Sequence, residues 1–175
     1  LETLPELDAL LAAWRRREGL EALFEAHGAE IYIEGRCPGA GFADAALVQE
    51  AGPAVAASMV MSPAALQWGL LQRLDEAEQL MTRRSWPQWR ALRDRAMQHA
   101  LDDPEVAGVC RDVLEVASAG LSKDEQPLLA YAWHVLETRR CAADRMLSSW
   151  RAAPAGEASG KLAWVAQRHQ AIHVS

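Results

Sequence analysis

The chain has 175 residues, half of them hydrophobic and about a quarter charged, the mix of a soluble globular domain large enough for a real core. Its formal charge of −6 argues against general nucleic-acid binding, and its many Ala, Leu, Arg and Glu residues favour helix. No apolar run is long enough to span a bilayer and no signal peptide is visible, so no membrane partner is expected.

Leu4, Leu7, Leu10, Leu11 and Trp14 recur at helical spacing, which predicts an amphipathic helix over residues 4–17. Gly19 interrupts it, and Leu20, Leu23 and Phe24 continue a short helical turn to a stop at His27-Gly28. Residues 29–36, AEIYIEGR, then alternate as a β-strand does, with Tyr32, Glu34 and Arg36 on one face. A lone strand leaves its backbone donors and acceptors unpaired. No second convincing strand follows, so its partners are expected in another polypeptide or in a missing N-terminal portion. The chain starts at Leu1 without a methionine, and a fragment, a processed product or a chain trimmed at its start is expected.

CPGAG, residues 37–41, reads as a loop. Residues 43–51 are a short helix candidate, and Pro53 to Met61 is small, apolar and expected to be buried. Ser62-Pro63 predicts a helix start, with serine as cap and proline at the first position, running to about Arg83. Ser85 is expected to cap a helix bearing Trp86, Trp89, Leu92, Ala96 and Ala100 on or near one face. Asp103-Pro104 repeats the cap-and-proline signal ahead of a wide apolar stripe that includes Leu114 and ends at Gly120. Trp89 and Leu114 are both expected in the core. Leu128, Leu129, Trp133 and Leu136 mark another helix, and Ala142, Met146, Leu147 and Trp150 one more. PAGEASG, residues 154–160, reads as a linker before a weakly helical tail. The expected division is an N-terminal helical segment, 1–28, a main unit, 29–153, and a linker and tail, 154–175.

Candidate chemistry is sparse. Cys37, Cys110 and Cys141 are odd in number and lack metal-ligand spacing, which points to a reducing, cytoplasmic setting. The clusters Arg15-Arg16-Arg17, Arg83-Arg84 and Arg139-Arg140 lie beside apolar stripes and read as solvated helix faces. His169 and His173 fit one helical face, yet nothing nearby completes a zinc site. His99 and His134 read as surface or interface residues, and the tryptophans as core. Glu34 and Arg36 admit two readings. They are either an incidental charged pair on a solvent face or a carboxylate for Mg²⁺ beside a guanidinium for phosphate.

From Tyr32 onward the chain resembles the C-terminal part of the glutamate–cysteine ligases, carboxylate–amine ligases related in fold to glutamine synthetase. YIEGR resembles that family's Y-[IL]-E-x-R strand, and SPAALQWGLL, residues 62–71, its lPAlwvGLLy helix. WRALRDRAMQHAL followed by RDVLEVASAGL is similar to its late helical pair, so the resemblance spans roughly residues 31–150. It implies a mostly α chain: a helical bundle plus one strand completing an antiparallel sheet of a larger α+β ligase fold. It also implies ATP and Mg²⁺ as cofactors, and glutamate and an amine, cysteine by default, as substrates. The γ-carboxylate is phosphorylated and the amine attacks the acyl phosphate. By matching position Glu34 becomes a metal ligand, Arg36 a catalytic contact to the nucleotide phosphates, and Tyr32 part of the nucleotide site.

The chain departs from that pattern at Cys37-Pro38-Gly39, where the family carries a gaD-type segment. The family's N-terminal half, source of most acidic metal ligands and sheet strands, has no counterpart in residues 1–28. This chain alone is therefore expected to be inactive. The readings carried forward are a ligase portion, a non-catalytic helical partner or scaffold derived from that fold, and a stand-alone bundle with a chance motif.

Overall fold

The computed structural model describes residues 42–172, which belong to the unit Cys37–Ser175. The expected strand at 29–36 and helices of 1–28 lie outside them. The described residues are mostly helical and contain no strand, only an isolated antiparallel bridge between Asp44 and Ala171. The elements are α1 (Ala45–Ala51), α2 (Pro53–Ser58), α3 (Ser62–Gln72), α4 (Leu74–Thr82), α5 (Trp86–His99), α6 (Pro104–Gly120), α7 (Ala130–Thr138), α8 (Ala142–Ala152) and α9 (Ala158–Arg168). Short 3₁₀ turns at Ala100–Asp102 and Gln126–Leu129 lead into α6 and α7.

Local chemistry explains most of the starts. Asp44 Oδ1 accepts the Leu47 N–H at 2.7 Å and caps α1. Asp103 Oδ1 accepts from the Glu105 and Val106 N–H groups and caps α6. The Ser85 N–H donates to Gln88 Oε1 at 2.7 Å, closing the first turn of α5. Proline occupies the first turn of α2, α3, α5 and α6, where its missing N–H costs nothing.

Ser62 departs from expectation. It lies inside α3 rather than capping it, and its buried hydroxyl donates to the Leu128 carbonyl at 2.8 Å. A tertiary partner 66 positions away has taken the oxygen that local reasoning assigned to the helix end. Likewise, the single helix expected from Ser62 to Arg83 is two. Arg73, at φ −128 and ψ 47, breaks it, and neither Gly nor Pro stands at the bend.

α3 and α6 make the most extensive helix pairing. Their seam is built from small residues: Ala65 and Gly69, one turn apart on α3, and Ala117 and Gly120 on α6. A Cβ added at Gly69 would collide with the Ala117 carbonyl, and one at Gly120 with the Gly69 carbonyl. The two backbones therefore touch without intervening side chains. Beside this seam Leu114, Leu121, Leu129 and Leu136 close the main core, with Leu66, Leu70 and Trp133 packed on it. A second cluster joins Ala43, Leu47, Ala56 and Met59 to Tyr131 and Ala142. Between the two, the Ser58 hydroxyl accepts the Tyr131 N–H at 2.8 Å, supplying a partner to a donor of the first turn of α7.

Leu114 is buried as expected, whereas Trp89 is only partly so. Trp68 and Trp86 are exposed, at 51% and 64%. Several of the tryptophans instead carry cations on their faces: Arg84 on Trp89, Arg90 on Trp86, Lys161 on Trp150 and Arg168 on Trp164. An indole is large and has one donor, and Trp89 spends it on the Met81 carbonyl at 2.9 Å. These rings hold helix ends together at the surface rather than filling the interior. In the segment Pro53 to Met61, Ala56, Ser58 and Met59 are buried while Val60 and Met61 stand out in solvent. Three arginines of these clusters are engaged: Arg83 with Asp112, Arg84 with Glu105 and Arg140 with Glu50.

The glycine seam and the Asp103 cap each set a measurable outcome. Gly69→Ala should lower unfolding free energy by about 1–3 kcal/mol, although alanine is the better helix former by about 1 kcal/mol. Gly108→Ala, on α6 with open space where the Cβ would go, should instead stabilise by about 0.5–1 kcal/mol. Urea titration of both variants checks the opposite signs. The second concerns Asp103, whose carboxyl is held below the ordinary aspartate range first by its hydrogen bonds from Arg95 and also by the α6 amides. A lowered folded pKa means that the stabilisation is complete above the ordinary aspartate pKa and drains away as pH falls through the lowered value. Asp103→Asn keeps a capping oxygen, so its melting temperature should fall less steeply with acid than the parent's.

Candidate functional site

Tyr32, Glu34 and Arg36, to which the resemblance assigns nucleotide, phosphate and metal contacts, lie outside the described residues. Within them, polar groups converge where α8, α9 and the start of α1 meet. His169 ends α9 as its C-terminal cap. Its Nδ1 lies 2.8 Å from Asp44 Oδ2, and its Nε2 lies 2.8 Å from Ser149 Oγ on α8. The Asp44 carboxylate only accepts, so Nδ1 carries the hydrogen directed at it; in the neutral ring Nε2 then accepts from the Ser149 hydroxyl. Asp44 serves two elements at once, since its other oxygen caps α1. The neighbouring backbone continues the attachment: the Ile172 N–H donates to the Ala43 carbonyl at 2.9 Å.

Hydroxyl, imidazole and carboxylate in this order have the separations of a nucleophile, its base and an orienting acid. Ser149 nevertheless sits inside α8, where helix hydrogen bonds use the backbone N–H groups that commonly stabilise an oxyanion. The group works as a tether, joining the end of α9 to the start of α1 through α8.

Beside it opens a cavity of about 310 Å³, lined by Gln49 and Glu50 of α1, Arg140, Arg145, Ser148 and Ser149 of α8 and the turn before it, and Trp164 and Arg168 of α9. Arg145 is the unexpected member. It is 3% exposed, and it is the buried residue of a helix whose Met146 and Leu147 face solvent. Its Nη2 donates to the Tyr131 hydroxyl at 3.3 Å, and its guanidinium lies over the Tyr131 ring. Nε and Nη1 are buried with no hydrogen-bond partner among the described residues. Glu50, the acidic residue in the lining, is committed elsewhere, to His134 Nε2 at 3.1 Å and Arg140 Nη1 at 3.3 Å.

Of the two histidines that fit one helical face in the sequence, His173 lies outside the described residues and His169 is directed at Asp44 and Ser149. Among the described residues no cluster of His, Cys, Asp or Glu is placed to hold a metal ion. Cys110 and Cys141 are free thiols, and burial pushes the Cys110 thiol up, away from the reactive thiolate. Sequence reasoning missed Asp44, Arg145 and Ser149. Asp44 was open to discovery as the cap ahead of a short apolar helix. Arg145 was hidden, because Met146 and Leu147 beside it look like the buried stripe.

Asp44→Ala should lower unfolding free energy by about 2–3 kcal/mol, combining a lost cap of about 1 kcal/mol with a nearly buried imidazole left without its acceptor. A double-mutant cycle with His169→Ala should give a coupling energy of about 1 kcal/mol or more by chemical denaturation.

No protein-family model matches this chain, and neither do curated proteins or solved structures.

Proposed function

We propose that this chain is the C-terminal, largely helical part of an ATP-dependent ligase that forms a γ-glutamyl amide from glutamate and cysteine or another amine. The observation that carries the reading is the place of the resembling motifs in the fold. SPAALQWGLL makes up most of α3, and RDVLEVASAGL is the second half of α6 running into Leu121. Each contains one glycine, Gly69 and Gly120, and those two are the points where the helix backbones touch. Motifs resembling one family thus meet at a contact that only glycine permits, which supports a common helical scaffold rather than chance similarity. The third motif, WRALRDRAMQHAL, runs along α5 and its 3₁₀ extension.

On this reading Glu34 holds a divalent cation at the nucleotide phosphates, and Arg36 contacts the same phosphates by a bidentate fork. The cation would offset charge developing on the transferred phosphoryl group. By the same resemblance Tyr32 would form part of the nucleotide site. The cytoplasmic setting drawn from the cysteines and the need for further polypeptide are parts of the same proposal. A second reading, a non-catalytic helical partner, is favoured by the exposed Trp68, Leu71 and Leu74 around the bend between α3 and α4. Such a cluster is surface that a larger body covers.

Glutamate-dependent ADP release by the native assembly, at saturating Mg²⁺ and with each candidate amine, tests the two. Glu34→Gln should reduce the rate on the order of 10²–10³-fold, the scale of removing one preorganised electrostatic group. Arg36→Lys should also be harmful, because a point charge cannot reproduce the fork. Parent-like turnover by Glu34→Gln would sink the site assignment. An assembly that neither binds ATP nor releases ADP would replace the ligase by the scaffold.

A further inference from the structure

We propose that the cavity between α1, α8 and α9 is a binding site for an oxyanion, the phosphate or carboxylate group of a small molecule. Three arginines, Arg140, Arg145 and Arg168, line it against one acidic residue, Glu50. Glu50 is already held by Arg140 and His134, and Asp44, behind Ser149, is held by His169 and the α1 amide. Arg168 and Arg145 have no carboxylate within ion-pair distance among the described residues. Positive charge therefore predominates in a recess of molecular size.

Arg145 gives the decisive argument. A guanidinium cannot shed its charge, and burying one without a counter-charge is costly. Native proteins keep such a group where something compensates it. Here two of its N–H-bearing nitrogens lack partners, its bonded neighbour is a neutral phenol, and the acid whose charge it feels, Asp144, accepts the Cys141 N–H and is not within ion-pair distance. An anion in the cavity it lines supplies the missing charge. Arg168 lies over the Trp164 ring, its guanidinium carbon 4.8 Å from the ring centre, which places a second guanidinium at the cavity. Ser148, whose hydroxyl oxygen accepts from Arg140, keeps its own proton to donate to oxygen, and the Trp164 ring offers an apolar wall to the rest of the ligand. The site is inferred without Tyr32, Glu34 or Arg36 and does not depend on the ligase reading.

Calorimetric titration of the purified protein with sodium phosphate and, separately, sodium succinate, at matched ionic strength, tests the site and distinguishes the two sources of the group. One of them should bind saturably and raise the melting temperature. Arg140→Gln and Arg168→Gln, both at the rim, should each weaken that binding about tenfold or more. Arg93→Gln, outside the cavity, should leave it unchanged. Arg145→Met should abolish the response while the anion-free protein melts no lower than the parent, because a buried unpaired charge has been removed. A purely structural arginine would give the reverse: a lower melting temperature and no anion response to lose. Failure of both anions to saturate below about 10 mM, or parent-like affinity in both rim variants, would overturn the proposal. If Arg145→Met does not fold, the two rim variants decide it alone.

Discussion

The backbone contact between α3 and α6 governs the rest of the described fold. Gly69 and Gly120 let two helices approach until carbonyls and Cα atoms touch, so that main-chain atoms replace side chains at the crossing. Close packing of this kind leaves no freedom to rotate either helix, because any turn would bring a Cβ onto a carbonyl. The leucines beside the seam are fixed in consequence, and Leu114, Leu121, Leu129 and Leu136 pack into one cluster with Ala65 and Ala117. Ser62, at the start of α3, then reaches the carbonyl of Leu128, tying the turn before α7 to the same pair of helices.

A different physics holds the other side. There α1, α2, α7, α8 and α9 add polar bonds of long sequence range to the smaller apolar cluster around Leu47. Asp44 links α1 to His169 across 125 positions, and Ser58 links α2 to α7 across 73. Hydrogen bonds of this sort add modest net stability when made and cost more when one partner is removed. They give this side a defined geometry rather than a large store of stability. The buried Arg145 fits the same pattern: a group that a stability-driven core would replace with an aliphatic residue is kept beside a recess.

Surface electrostatics is mostly local neutralisation. Arg84, Arg95, Asp103 and Glu105 form a network at the junction of α5 and α6, in which Asp103 also caps a helix. Its charges are partly exposed, so the value of the network lies in orienting the α6 start more than in raw Coulomb energy. Trp86, Trp89, Trp150 and Trp164 belong to this layer, each with a cation above its ring, whereas Trp133 packs on the main core.

The sequence by itself determined the helical class, most helix starts and the main core. Those features are local or periodic: Asp103-Pro104 marks the start of α6 and Gly120 its end, and the stripe through Leu114 buries itself wherever a partner helix lies. The strand motif with Tyr32, Glu34 and Arg36 was equally legible as a pattern, and its role rests on resemblance. Tertiary structure alone decided the remainder. Only the packed helices show why residues 69 and 120 are glycine, or that Ser62 serves Leu128 rather than its own helix end. Periodicity assigned burial to Met146 and Leu147, yet the neighbouring elements turned the face carrying Arg145 and Ser149 inward. Hydropathy ranks residues one at a time, whereas a buried arginine or a capping aspartate shared with a distant histidine exists only once partners far apart in sequence have been brought together.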